Sequence, residues 1–455
     1  MPFRYGIATM TEGPVVFVRV RVADNGREVS GIASDLLPPK WFTKIANKPI
    51  AEEIEELLRV ILHACRAGVG LRGENVFVLW RQLYEAQAAW GRQEKLPPLL
   101  WNFGVSLVER ALIEAVARSR GSTFSQLLRE GALGLRLDCI HPELRGSAAA
   151  AGLPIQPNSK VIARHTVGLA DPLTQADIAP SDRLDDGLPQ SLGENIRAYG
   201  LRHFKLKLCG DAARDLARLE NIASVLIGHC GDDFAFSLDG NEQFKSVETF
   251  RAFWEEASRS GPLRTALPRL LFVEQPLHRD AALAPEVGEA FARWPDRPPM
   301  IIDESDGAPE DLRTALQLGY AGTSHKNCKG IFKGVAHRCL LRARELDQPG
   351  RRVLMSGEDL CNIGPVALLQ DLAVMAALGI ESVERNGHHY HAGLSHFPEA
   401  VREQVMAHHS DLYVRSQGGW PTLRIQSGQL DLASINAAPF GVGFELGLES
   451  FRRIE

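Results

Sequence analysis

From about Lys160 onward the sequence repeats one pattern, and this constrains the fold more than any other feature. Short apolar runs (VIARHTVGL, HFKLKL, DFAFSLD, RLLFVEQP, PPMIIDE, YAGTSHK, RRVLMSG and ESVER) alternate with helix-like segments. The latter include DAARDLARLENIASVLIG, VETFRAFWEEASR, GVAHRCLLRARELD and GPVALLQDLAVMAALG. Strands joined through helices must run parallel, and about eight such units fit a closed α/β barrel.

The opening third reads as α+β. FRYGIATM and PVVFVRVRV alternate in the strand period, and Asp24-Asn25-Gly26 is a strong hairpin signal. Pro38-Pro39 ends that pattern, and Ile54, Leu57, Leu58, Ile61 and Leu62 then fall on one helical stripe. A second helical stretch covers Ser106 to Ser119. The tail loses the strand–helix alternation and is expected to return to the first domain. The expected division is therefore 1–135 as an α+β domain, 136–404 as the barrel and 405–455 as the returning tail.

Composition removes several function classes. The 51 basic and 56 acidic residues leave a net charge of −5, so no basic excess points to nucleic acid. No polybasic run or apolar stretch of about 20 residues points to a membrane. Seven dispersed cysteines without a CxxC pair suit reduced thiols, and the first residues lack a signal-peptide pattern, so a cytoplasmic protein is expected. No GxGxxG or GxxxxGK[ST] motif supports dinucleotide or P-loop binding.

Five ionisable residues stand at the C-terminal ends of successive apolar runs: Lys207, Asp239, Glu274, Asp303 and Lys326. Consecutive members are 23 to 35 residues apart, about one strand, one helix and two loops. In a barrel, those strand ends share one mouth, where active sites are built. Three carboxylates without His or Cys need a cation, and hard oxygen ligands favour Mg²⁺ over zinc. Lys205 and Lys207 share one face of their strand, and a cationic neighbour with partial burial would lower a lysine pKa toward that of a useful base. Capping of the following helices is the bland alternative for any single carboxylate.

The order KLK, DGN, EQP, DES and a sixth-strand lysine resembles the enolase superfamily, nearest the muconate-lactonizing branch of the mandelate racemase/muconate lactonizing enzyme group. The resemblance covers most of the chain. It implies a modified TIM barrel, (β/α)₇β, with an N-terminal α+β capping domain completed by the C-terminal tail. It further implies that Asp239, Glu274 and Asp303 ligate Mg²⁺, which binds a substrate carboxylate. Lys207 and Lys326 would then serve opposite faces of the adjacent carbon, through an enediolate, assisted by Lys205 and Asn241. Two places depart from the family pattern. Lys326-Asn327-Cys328-Lys329-Gly330-Ile331 carries a second lysine but only one of two expected glycines, leaving Lys329 as a rival to Lys326. ERNGHHYHAGLSH lacks the Asp-x-Asp pair with which dipeptide epimerases hold the substrate ammonium, which speaks against a dipeptide.

His388, His389, His391 and His396 cluster after the last strand, open to three readings: zinc ligation, an ordinary packing role, or substrate contact. Ser356, Glu358 and Asp359 after the seventh strand are candidate substrate contacts or caps of the helix near Gly364-Pro365, the cap being favoured for Asp359. The stretch 23–48, with Trp41 and Phe42, resembles the loop that closes over substrate in this superfamily, or is ordinary packing. The expected activity is racemisation or epimerisation of a small carboxylic acid. A lyase (syn-dehydratase or cycloisomerase) and a non-catalytic metal-containing binding protein are the alternatives. A homo-oligomer is expected, with neither nucleic acid nor membrane as partner.

Overall fold

The computed structural model describes residues 1–24 and 26–454. Two short strands, β1 (Phe3–Tyr5) and β2 (Ala8–Met10), pair antiparallel ahead of a long hairpin of β3 (Val15–Asp24) and β4 (Arg27–Leu36). Asp24 faces Arg27, so a two-residue connection joins them; Asn25 lies outside the described residues, and Gly26 has the positive φ of +80° that such tight turns demand. Three helices complete the cap: α1 (Ile50–Gly68), α2 (Val76–Gln93) and α3 (Pro98–Arg120). The Leu57 and Ile61 stripe of α1 is buried as its period requires. Helix α3 is buried along almost its whole length, because β4, α1, α2 and the barrel cover it from all sides. Gly31 allows that packing: a Cβ there would come within 2.1 Å of the Ala111 carbonyl oxygen.

Eight strands form the barrel: β5 (Lys160–Val167), β6 (His203–Lys207), β7 (Ala235–Asp239), β8 (Leu270–Glu274), β9 (Met300–Ile302), β10 (Gly322–His325), β11 (Leu354–Gly357) and β12 (Ser382–Arg385). All neighbours run parallel, and β12 pairs with β5 to close the ring. Each of the eight apolar runs is thus a strand of a modified TIM barrel. No helix among the described residues is long and apolar enough to cross a membrane.

The tail divides between the two bodies. β6 begins only opposite Arg164, leaving Lys160–Ile162 of β5 with an open edge. After the small hairpin of β13 (Tyr413–Arg415) and β14 (Pro421–Leu423), β15 (Gln429–Asp431) covers that edge antiparallel, at the barrel end away from the mouth. Only then does the chain reach the cap, with Phe440 on Phe124, Phe451 on Phe17, and the Val442 and Phe444 carbonyls accepting from Arg118. Within the expected returning tail of 405–455, residues 429–431 thus pair with the barrel and not with the cap.

One buried carboxyl ties α3 to the barrel. Glu109 accepts from the backbone N–H of Ile331 (2.9 Å) and Phe332 (2.8 Å), opening the helix Ile331–Asp347. Burial pushes its pKa from the usual 4.5 up to about 7, against those two hydrogen bonds. A carboxyl raised in the fold stabilises below its unfolded pKa, and that contribution is lost as pH rises through about 7. In urea unfolding the native chain should therefore lose about 3 kcal/mol through this group as pH rises from about 4 to about 8. A stability unchanged over that range would mean that the fold tolerates the charged form.

Candidate active site

The strand ends deliver their charges to one place. Lys205 and Lys207 share the inner face of β6; Asp239 and Glu274 end β7 and β8; Asp303, Lys326 and Glu358 directly follow β9, β10 and β11. Glu384 of β12 joins them, and all eight side chains are buried. The loops are fastened to one another. Gly240 N–H donates to the Glu274 carbonyl (2.9 Å), in a passage so narrow that a Cβ at Gly240 would lie 2.5 Å from Pro276 Cα. The Gln275 side chain accepts from the Asp303 N–H (2.8 Å) and donates to Ser305 Oγ (2.8 Å), which fixes the next carboxylate. Asn241, Glu242 and Gln275 all have positive φ, backbone strain of the kind that gathers at functional sites.

Lys205 Nζ stands at the centre of the acid set. It lies 3.0 Å from Asp239, 2.8 Å from Glu274, 2.6 Å from Glu358 and 3.1 Å from Glu384. Lys207 Nζ reaches the same Asp239 oxygen at 2.6 Å. A carboxylate therefore stands between the two lysines. Burial opposes the charge on Asp239, but Lys205 and Lys207 outweigh it and hold that carboxyl below its usual range. Asp303 sits between Lys326 (2.6 Å) and Lys329 (2.8 Å), which overcome its burial in the same way. Glu274 goes the other way: burial, then Asp239 and Glu358, raise it well above the usual carboxylate range. Burial also works against the Lys326 charge, yet Asp303, Glu274 and Glu384 keep its pKa above that of a free lysine.

A cavity of about 30 Å³ lies between Lys207 and Lys326, with Asn241, Asp359 and Glu384 on the barrel side and Tyr5 and Trp41 on the cap side. Lys326 Nζ lies 4.5 Å from the Trp41 ring centroid, a cation–π contact. One cation from the barrel and one from the cap hold the Trp41 loop. Arg279 donates to the Trp41 (2.9 Å) and Phe42 (2.8 Å) carbonyls and pairs with Glu242, while the cap's Lys44 reaches Glu242 at 2.6 Å.

Among the candidates chosen from sequence, Lys207, Lys326 and Asn241 line the cavity. Lys329 does not; it lies behind Asp303, bound to Ser324 and Asp306, which separates it from Lys326. Glu358 sits beneath the cavity, paired with Lys205 and Arg164, and is not among its lining residues. His388, His389 and His391 are likewise absent from that lining. Sequence reasoning missed Glu384, Arg164 and the positioning amide Gln275. Glu384 carried the same signal as the others, an acid near the end of an apolar run.

The donor set suits a hard divalent cation. The Lys205 ammonium, 3.0 Å from Asp239 and 2.8 Å from Glu274, occupies a cation's position between two buried carboxylates. Asp239, Glu274 and Asp303 would hold such an ion.

The closed parallel barrel beneath an α+β cap is a fold similar to that of solved mandelate racemase/muconate lactonizing family structures. Superposition agrees. The chain is similar to 2-chloromuconate cycloisomerase from Rhodococcus opacus 1CP, with a TM-score of 0.60 at 15% identity, covering 100% of this chain and 96% of that one. N-succinyl Arg/Lys racemase from Bacillus cereus ATCC 14579 gives 0.57 at 14% identity, covering 96% and 93%. An enolase from Bradyrhizobium complexed with magnesium and mandelic acid gives 0.54 at 18% identity, covering 94% and 88%. No family model and no curated protein matches the sequence. The likeness is one of fold.

Proposed function

We propose that this protein removes the proton α to a substrate carboxylate and returns it on the opposite face, as a racemase or epimerase of a small carboxylic acid. One observation carries this reading: Lys207 and Lys326 come from opposite sides of the barrel mouth and line the same cavity beneath the cap. An α-carbon held between them has a proton acceptor on one face and a donor on the other. The Asn241 side-chain oxygen has no partner among the described residues and is free to accept from a substrate hydroxyl or amine. Trp41 and Tyr5 exclude water from the same space. A bound Mg²⁺ would neutralise the three carboxylates and stabilise negative charge developing on the substrate carboxylate.

The experiment is solvent deuterium exchange across a library of α-substituted acids, with and without Mg²⁺. The expected result is Mg²⁺-dependent deuterium at the α-carbon together with loss of optical purity. Exchange accompanied by loss of a leaving group would identify a lyase instead. Absence of exchange into any acid that binds would make the protein a binder.

A further inference from the structure

A second cluster of ionisable groups lies outside the barrel, on the other side of β5 from the acid set. Along β5, Arg164 and Thr166 turn inward, to Glu358 and Glu384. His165 between them therefore points outward. Strand β12 neighbours β5, and the segment Gly387–Tyr390 that follows it carries His388 and His389 back against His165. The ring centroids are 5.0 Å apart for His165–His388, 4.2 Å for His165–His389 and 4.8 Å for His388–His389. All three are buried, at 2%, 3% and 5% exposure.

From these observations we infer a zinc-type metal site formed by His165, His388 and His389. One ring nitrogen from each residue lies within 4.8 Å of the others. Tetrahedral Zn–N bonds of about 2.0–2.1 Å place nitrogens about 3.3 Å apart, so small side-chain movements close the set. The one hydrogen bond inside the cluster joins His165 Nδ1 and His388 Nε2 at 2.9 Å. Among the described residues, His388 Nδ1 and both nitrogens of His389 have no hydrogen bond of ordinary geometry. Unpaired buried imidazole nitrogens are costly, and a metal ion answers that need. Asp171 Oδ2 lies 3.7 Å from His389 Nε2 and is itself fixed by Tyr390 Oη (2.6 Å) and Gly168 N–H (2.8 Å). It is placed to orient His389 as an outer carboxylate. Imidazoles without a ligating acid select a borderline ion, not Mg²⁺.

The site would pin the seam at which the barrel closes. Tyr390, next to His389, stacks on Phe3 of β1 at 4.3 Å, and Phe3 lines the cavity. The cation would thus hold the cap's first strand against the barrel without touching a substrate.

The test uses the full chain, stripped with a chelator and titrated with Zn²⁺, or with Co²⁺ as a visible-absorbing probe, in excess Mg²⁺. One Zn²⁺ per chain should bind, with Co²⁺ giving the absorption of a low-coordinate nitrogen site. His165→Gln and His388→Gln should each lower Zn²⁺ affinity at least 100-fold, and Asp171→Asn about 10-fold or more. Glu274→Gln, in the carboxylate set, should bind Zn²⁺ as the native chain does. Circular dichroism identifies any variant that fails to fold; His389→Gln then replaces it. Stoichiometric zinc in folded histidine variants, zinc lost from Glu274→Gln, or no zinc bound by the native chain in excess Mg²⁺ would each overturn the assignment.

Discussion

Lys207→Ala and Lys326→Ala should each abolish net conversion between stereoisomers, with losses of about 10²–10⁴-fold, the range of a positioned acid–base group. Racemisation requires a proton to leave one face and another to arrive on the opposite face, so either loss stops turnover in both directions. Half of the chemistry should survive in each variant. Lys207→Ala should still exchange deuterium into one stereoisomer through Lys326, and Lys326→Ala into the other through Lys207. A lyase needs one base, so its two variants would be unequal, one dead and one impaired. Lys329→Ala is the control. Lys329 is buried against Asp303 and Ser324 and lies outside the cavity lining, so its loss should weaken positioning yet leave both exchange reactions detectable. Exchange into the same stereoisomer by both cavity-lysine variants would sink the two-face arrangement.

The barrel was legible because strands buried on both faces read as continuous apolar runs, and charge at their ends is conspicuous. The site was legible to the same extent: Lys207, Asp239, Glu274, Asp303 and Lys326 needed only the barrel's convergence to be placed together. Groups in mid-strand were not. Arg164 lies within an apolar run whose two faces are both buried, so alternation gives no hint that it reaches inward to Glu358. Helix α3 was seen only from Ser106, because PLLWNFGV is apolar all round and shows no stripe; helix α2 was not seen at all. His388 and His389 were visible as a cluster, but their partner His165 is 223 residues away from His388 and becomes a neighbour only when β12 closes on β5. The central position of Lys205 was hidden for a related reason. Its four acids come from four strands, and Glu384 was not counted among them.

That central ammonium leads to the second large effect. Lys205→Met keeps the stem's bulk and removes the charge, leaving Asp239, Glu274, Glu358 and Glu384 facing one another without the cation now within 3.1 Å of each. Removing one partner from a buried ion set costs about 3–5 kcal/mol, because the uncompensated charges stay buried. The chelated variant should therefore be less stable than the chelated native chain by about that amount. Divalent cation should then recover more stability in the variant than in the native chain, because Mg²⁺ no longer competes with an ammonium for the same oxygens. Ligand linkage returns about 2.7 kcal/mol at a hundredfold excess over Kd. Urea unfolding of both proteins, chelated and with saturating Mg²⁺, measures the two differences directly. Equal recovery would mean that Lys205 and the cation do not share a position, and the three-carboxylate assignment would then have to move away from Glu274. A larger recovery in Lys205→Met, lost again in Lys205→Met combined with Glu274→Gln, would locate the ion on Glu274.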